Sequence, residues 1–328
     1  MEMKEAAKTS IFSKLWRYLC AKSTHLDFSH LIVFPDSDPD VNSLFLPPRS
    51  QKNKYINWVN QVVDLHCSPC INTFKICLGF HRSDAHHIDK WVRFAVSRKV
   101  KNLELDLIIQ LAVYTLTDIL KPTLGVGESG ANFLQSLHLN GINVSGDILE
   151  YLLVQCCLLE RLHVEGSETL VRFKVFSSSC KLKQLTIFGC RNLEQLEIDA
   201  VNLLYLRYRT LNPCTNVVFK NMPMLIEAMF GGYCLPDSTT IFRQLSHLEG
   251  QISKLTLDLV CLAIPIGLLP TFCKVKQLTL IVIGHTEFDL VVIRHFLKAC
   301  PALQEFTLEI TWRSDELPIT LYFLVTGC

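Results

Sequence analysis

Cys67-x-x-Cys70 is the first place in this chain where residue types and spacing suggest chemistry. Two thiols at that spacing suit a zinc ion or a redox pair, and His81, His86 and His87 follow at distances near those of a Cys2His2 set. Pro69 lies inside the pair, no second C-x-x-C follows, and the stretch beyond reads as strand. The cysteines are therefore read as ordinary core or loop residues, with no metal and no cofactor expected. With 14 cysteines and 11 histidines, Cys/His combinations arise by chance. No G-x-S-x-G turn presents a nucleophile, and the glycines of LGVGESG lack the Lys-Ser/Thr of a phosphate loop. That segment, within 121–130, is read as a loop. No catalytic residue is expected, and the chain is not expected to be an enzyme.

A different set is acidic. Asp106, Glu165, Asp199, Asp258 and Glu309 each stand immediately after a short leucine motif, at the position that Asn140, Phe188 and Ile281 occupy in the other copies. If the motifs stack, these carboxylates line one rim. They would then be either a solvated edge or a docking strip for a basic protein.

The motif that must position them is L-x-x-L-x-L, with other apolar residues substituting for leucine. Its central residues are Leu103, Leu137, Leu162, Leu185, Leu196, Leu255, Leu278 and Phe306. Neighbouring copies are often 23, 25 or 28 residues apart, in or near the range of leucine-rich repeats. The steps of 34 and 59 are long, and the second holds weaker copies at LLYLRY (from Leu203) and LIEAMF (from Leu225). The step of 11 between Leu185 and Leu196 is too short for a strand plus a helix, and implies a tight turn or a misassigned unit.

The last two apolar residues of each motif are two apart, so they share one face of a strand. The residue between them faces solvent. It is Glu104, His138, His163, Thr186, Glu197, Thr256, Thr279 or Thr307, never apolar. Each unit leaves an apolar edge that only a neighbour covers, so the units must stack. Glu104, His138, His163 and Glu197 join the acidic set as candidate protein-binding residues.

Helical spacing recurs between strands. Residues 147–155 (DILEYLLVQ) and 291–299 (VVIRHFLKA) each run into cysteine and then a motif, and Asp147 and Asp289 suit helix caps or first turns. Ile88, Trp91 and Ala95 mark another helix at 87–96, with Trp91 read as core rather than recognition. Residues 55–65 read as a short amphipathic helix and the proline-rich 34–53 as a loop.

The predicted fold is α/β: an irregular, curved leucine-rich-repeat solenoid, with a parallel strand layer on the concave face and helices and loops on the convex face. The leucine-rich-repeat domain spans residues 87–312, preceded by a linker and the N-terminal region of the array at 23–86 and followed by a non-repeat apolar tail at 313–328 that has no visible partner.

Composition agrees. The chain is 49% hydrophobic, with 32 basic against 31 acidic residues, a balance that recruits neither nucleic acid nor an anionic membrane. No secretory leader is visible at the amino terminus, and the longest uncharged run, 259–273, is interrupted by Pro265 and Pro270 and too short to span a bilayer. Scattered thiols among apolar residues fit a reduced cytoplasmic or nuclear setting.

The segment KTSIFSKLWRYLC followed by HLDF resembles the end of an F-box in plant F-box/leucine-rich-repeat proteins, through Ser10, Ser13, Lys14, Trp16, Arg17, Leu19, Leu26, Asp27 and Phe28. The run from the Trp91 helix into VKNLELDL, and the LL-x-x-C-x-x-LE-x-L form at 152–162, resemble the same family. The resemblance implies protein-substrate capture for an SCF-type ubiquitin ligase, with residues 1–22 the remnant of the last F-box helix. The leucine-proline-rich helix that grips the Skp adaptor is not among these residues, so the alternative is a stand-alone module or decoy without adaptor binding.

Overall fold

In the computed structural model, the described residues are 22–29, 49–77, 79, 82–107, 114–116, 133–176, 181–212, 215–232, 245–246, 248, 250–259, 269–284, 290–312 and 319–326. The F-box-like segment with Lys14, Trp16 and Arg17 lies outside them, as do His81, the 121–130 loop, Asp289 and most of the 259–273 run. The chain divides into two compact units, residues 1–167 and 168–328.

In the first unit, β1 (His25–Ser29) leads to helix α1 (Arg49–Leu65), β2 (Thr73–Cys77), helix α2 (Ala85–Ser97) and β3 (Asn102–Asp106). Then come β4 (Tyr114–Thr115), β5 (Ser136–Asn140), β6 (Ile142–Asn143), helix α3 (Gly146–Gln155) and β7 (Arg161–Glu165). Strands β1, β2, β3, β5 and β7 pair in that order, all parallel, and β4 pairs with β6. The register aligns Leu26, Phe74, Leu103, Leu137 and Leu162 in one column, and Phe28, Ile76, Leu105, Leu139 and Val164 in the next. Every one of these is buried. Each contributes roughly 1.5–3 kcal/mol by leaving water, a gain available only once a neighbouring strand is present.

Helices α1 and α2 close the core of the first repeats. Ile88, Trp91 and Ala95 are buried as the spacing predicts, and Trp91 Nε1 donates to Asn60 Oδ1 at 3.0 Å. Lys52 and Asp84 form a buried ion pair at 2.7 Å, and Tyr55 Oη donates to the Phe28 carbonyl at 2.6 Å. Helix α1 begins at Arg49, inside the stretch read as loop, because the prolines end at Pro48. In α3 the buried face includes Ile148, Leu149, Leu152 and Leu153; Ser145 is the N-cap, and Asp147 lies in the first turn, one of the two places expected for it.

The second unit contains β8 (Arg172–Val175), β9 (Gln184–Phe188), β10 (Gln195–Ile198), β11 (Tyr205–Thr210), β12 (Asn216–Phe219), β13 (Glu227–Gly232), β14 (Lys254–Leu259), β15 (Gln277–Gly284), helix α4 (Leu290–Ala299), β16 (Glu305–Trp312) and β17 (Ile319–Thr326). Strands β9, β11, β13, β14, β15 and β16 pair in parallel. The weak copies LLYLRY and LIEAMF are thus genuine repeats, β11 and β13. A separate parallel sheet runs β12–β10–β8, and Leu196 belongs to it. The step of 11 therefore joins strands of two different sheets, and Leu196 is the misassigned unit. The tail, expected to lack a partner, forms β17, which pairs antiparallel with β16 from Glu305↔Thr326 to Trp312↔Ile319.

The C-x-x-L recurrence has a local cause. The N–H of the motif's first apolar residue donates to the carbonyl three residues earlier, as in Leu159 to Cys156 (2.9 Å), Leu193 to Cys190 (3.2 Å), Leu225 to Met222 (3.2 Å) and Leu303 to Cys300 (3.1 Å). The accepting residue is buried each time, so a small or flexible apolar side chain suits it.

Candidate protein-binding face

Where leucines point inward, the alternate side chains of the same strands stand on the other face in equally strict columns. In the first unit one column runs Asp27, Lys75, Glu104, His138, His163 and the next Ser29, Cys77, Asp106, Asn140, Glu165. Five of the candidate residues are brought together there: Glu104, Asp106, His138, His163 and Glu165. Parallel strands lie about 4.8 Å apart, so each side chain meets its counterpart on the next strand.

These groups form a network. Lys75 Nζ lies 2.6 Å from Glu104 Oε1. His138 and His163 stack with ring centroids 4.0 Å apart and planes 18° from parallel. His163 Nε2 donates to Glu165 Oε2 at 3.2 Å, and Asn140 Nδ2 donates to Asp106 Oδ1 at 2.9 Å. Cys77 Sγ contacts Asp106 Oδ2 at 3.5 Å, and Arg161 Nη2 donates to Asn102 Oδ1 at 3.1 Å.

Burial lowers the pKa of His138, and the adjacent His163 pushes the same way against Glu104 and Glu165. Burial raises Asp106, and burial together with Asp106 pushes the Cys77 thiol up to about 12. Cys77 is thus a neutral hydrogen-bond donor rather than a nucleophile.

In the second unit the corresponding columns are Thr186, Arg207, Met229, Thr256, Thr279, Thr307 and Phe188, Arg209, Gly231, Asp258, Ile281, Glu309. Asp258 and Glu309 share a column as predicted. Asp258, however, is not a solvated rim residue, since only 2% of its surface is exposed. Gly231 leaves the gap it fills, and across that gap Arg209 Nε lies 2.9 Å from Asp258 Oδ2. The contact is an ion pair rather than an aligned hydrogen bond, and Asp258 Oδ1 has no hydrogen-bond partner. Burial raises the Asp258 pKa despite Arg209. Thr186 is also buried rather than solvent-facing.

Glu197 and Asp199 do not join either column. Glu197 lies on β10 of the separate sheet, between Lys174 (3.9 Å) and Lys220 (2.5 Å), and Asp199 follows the same strand, its N–H donating to the Val175 carbonyl. Their motif is genuine, but its strand belongs elsewhere, so the predicted single acidic stripe is interrupted. Sequence reasoning missed Lys75, Arg161, Arg207 and Arg209 on these faces. The alternation of TFKIC in β2 was the available signal for Lys75, whereas the basic residues of β11 sat in a copy already judged weak.

Cys67 and Cys70 are exposed, not core, on the segment between α1 and β2; His86 is exposed on α2 and His87 half-buried. Among the described residues no group of three or more His, Cys, Asp or Glu is placed to hold a metal ion. Among the same residues no helix is long and apolar enough to cross a membrane.

Residues 109–320 match the protein family described as At1g61320/AtMIF1, LRR domain. Among curated proteins of Arabidopsis thaliana, the chain is 31% identical over 240 residues to F-box/LRR-repeat protein At3g58900, covering 63% of this chain and 67% of that protein. It is 25% identical over 250 residues to putative FBD-associated F-box protein At5g56410, covering 68% of this chain and 49% of that one. With F-box/LRR-repeat protein At3g59210 it shares 24% identity over 347 residues, covering 92% and 68%. The chain thus spans from about half to two thirds of these three relatives. No solved structure gives a significant match.

Proposed function

The chain belongs to the plant F-box/LRR-repeat family, with a leucine-rich-repeat domain of the At1g61320/AtMIF1 type, and from that premise we propose that it recognises a protein target for an SCF-type ubiquitin ligase. The observation that carries the reading is the column order of the outward strand faces. Buried leucines hold polar side chains from strand to strand in register, giving a broad preorganised surface. Such a surface suits recognition of an extended protein partner. A role as a non-catalytic adaptor follows, working in the cytoplasm or nucleus, where the buried free thiols of Cys156, Cys190 and Cys300 stay reduced.

Two measurements test this. Recovery of a complex on co-expression with a Skp-type adaptor and purification through the chain would support the ligase role, whereas target binding without adaptor would favour the stand-alone module. Affinity capture from plant extract is expected to be lost by Glu104→Arg with Glu165→Arg, or by Thr256→Arg with Thr279→Arg. If both variants fold and capture the same proteins as the native chain, the outward strand faces are not the recognition surface.

A further inference from the structure

We infer that the rim at which the strands of the second unit begin docks an acidic segment of a partner protein, with apolar side chains at its centre and carboxylates on either side. This site lies beside the outward strand face and goes beyond the role given to that face.

The rim is continuous from β9 to β15. Ahead of each strand one residue extends the backbone ladder. The N–H of Leu204 donates to the Lys183 carbonyl at 2.8 Å, that of Ile226 to Leu204 at 2.9 Å, that of Ser253 to Ile226 at 2.9 Å and that of Lys276 to Ser253 at 2.8 Å. Four strand spacings of about 4.8 Å make a row of about 19 Å, the reach of about six extended residues.

The middle of the row is apolar. Leu225 turns inward and is buried, so Met224 and Ile226 on either side of it turn outward, 53% and 45% exposed. On the adjacent strand β11, Tyr205 stands next to the buried Leu206 and is 40% exposed. Single apolar residues on a surface are ordinary, whereas three on neighbouring repeats form a patch that a partner can cover.

The ends of the row are basic. Lys181 precedes β9 at one end, Lys274 and Lys276 precede β15 at the other, and all three are exposed. Their side chains have no ion pair or hydrogen bond among the described residues. The carboxylates of this rim do not reach them. Glu227 lies 3.3 Å from Arg207 and 3.6 Å from Lys254, Glu305 accepts from Gln277 at 2.9 Å, and Asp199 at the end of β10 acts on Lys220. The order along the rim is therefore cation, apolar patch, cation. Carboxylates flanking a bulky apolar side chain complement both parts at once. A nucleic-acid backbone would meet the lysines and leave the apolar centre uncovered.

The test uses the full chain and a fluorescent peptide in which two phenylalanines stand among glutamates, read by anisotropy. An all-glutamate peptide and an oligothymidylate serve as competitors. The native chain is expected to bind the phenylalanine peptide about tenfold more tightly than either competitor, and more weakly as salt is raised, because the ionic part is screened. Lys274→Glu with Lys276→Glu, and separately Met224→Ser with Ile226→Ser, should each weaken binding about tenfold. All four side chains are exposed, so both variants should keep the native urea midpoint. No binding of the phenylalanine peptide, or binding that neither variant weakens, would overturn the proposal. Equal binding of the all-glutamate peptide would remove the apolar centre from the site and overturn it too, and tighter binding of the oligothymidylate would give the rim to nucleic acid instead. If capture of proteins from plant extract depends on the outward strand faces while the phenylalanine peptide does not bind, this inference fails and the recognition reading stands.

Discussion

Gly231 has no side chain where Asp258 needs room. A Cβ built there would lie 2.6 Å from Asp258 Cβ, an atom too close to the backbone to swing aside. Gly231→Ala is therefore expected to destabilise the chain by about 1–3 kcal/mol in urea unfolding, the range for overpacking. Gly250→Ala, with nothing within 4 Å of its Cβ, is the matched control and should leave the midpoint in place. The histidines make a second prediction. Burial lowers the pKa of His66, His87 and His138, so the folded chain binds fewer protons than the unfolded one just below the ordinary value of about 6.5. The stability they contribute is complete above that value and is lost as pH falls through it toward their folded values. The urea midpoint should be lower at pH 5.5 than at 7.5, and His138→Gln should narrow the gap. Asp106 and Asp258, raised by burial, work in the opposite sense, stabilising the fold more as pH falls through the carboxylate range. An unchanged gap in His138→Gln would show that the stack does not couple to folding. None of this was legible from residue type: an aspartate after a leucine motif reads as solvated until the missing side chain of Gly231 and the reach of Arg209 are seen.

Strand β11 tests the repeat at the scale of elements. Its Leu206 is fully buried and aligned with Leu185 and Ala228 on its two neighbours. Leu206→Ala is expected to cost about 2–5 kcal/mol, as for other large-to-small core changes, with the loss read from urea unfolding. A cost near zero would mean that β11 is peripheral to the array. The stronger motif copies were legible because their apolar alternation and turn residues agree. The copy at 225–230 looked weak because alanine and phenylalanine replace leucine at its strand positions, although Ala228 and Phe230 are as buried as the leucines elsewhere. The copy at 193–198 looked strong and was placed in the wrong sheet. Alternation tells which side of a strand is buried, and both sheets of the second unit ask for the same alternation.

At the scale of the whole molecule, the parallel order ends at β17, which among the described residues pairs only with β16. Its sequence, ITLYFLVT, carries no charge, and Phe323, Leu324 and Val325 are 48%, 63% and 49% exposed. Uncharged strands at a sheet edge invite pairing with other chains. Leu324→Lys, on the face opposite the core, is expected to reduce concentration-dependent self-association in sedimentation velocity, and identical profiles would rule this edge out as the cause. The amino-acid sequence by itself determined the repeating unit, the inward leucine columns and the polar character of the opposite face, because each depends on side chains two to four residues apart. Only the tertiary structure decided which strand lies beside which. That choice placed Leu196 and Glu197 in a second sheet, set His138 against His163, and let Arg209 reach Asp258 across a glycine. Those relations join residues 20 to 50 positions apart along the chain, and local alternation carries no information about which distant strand will cover a given edge.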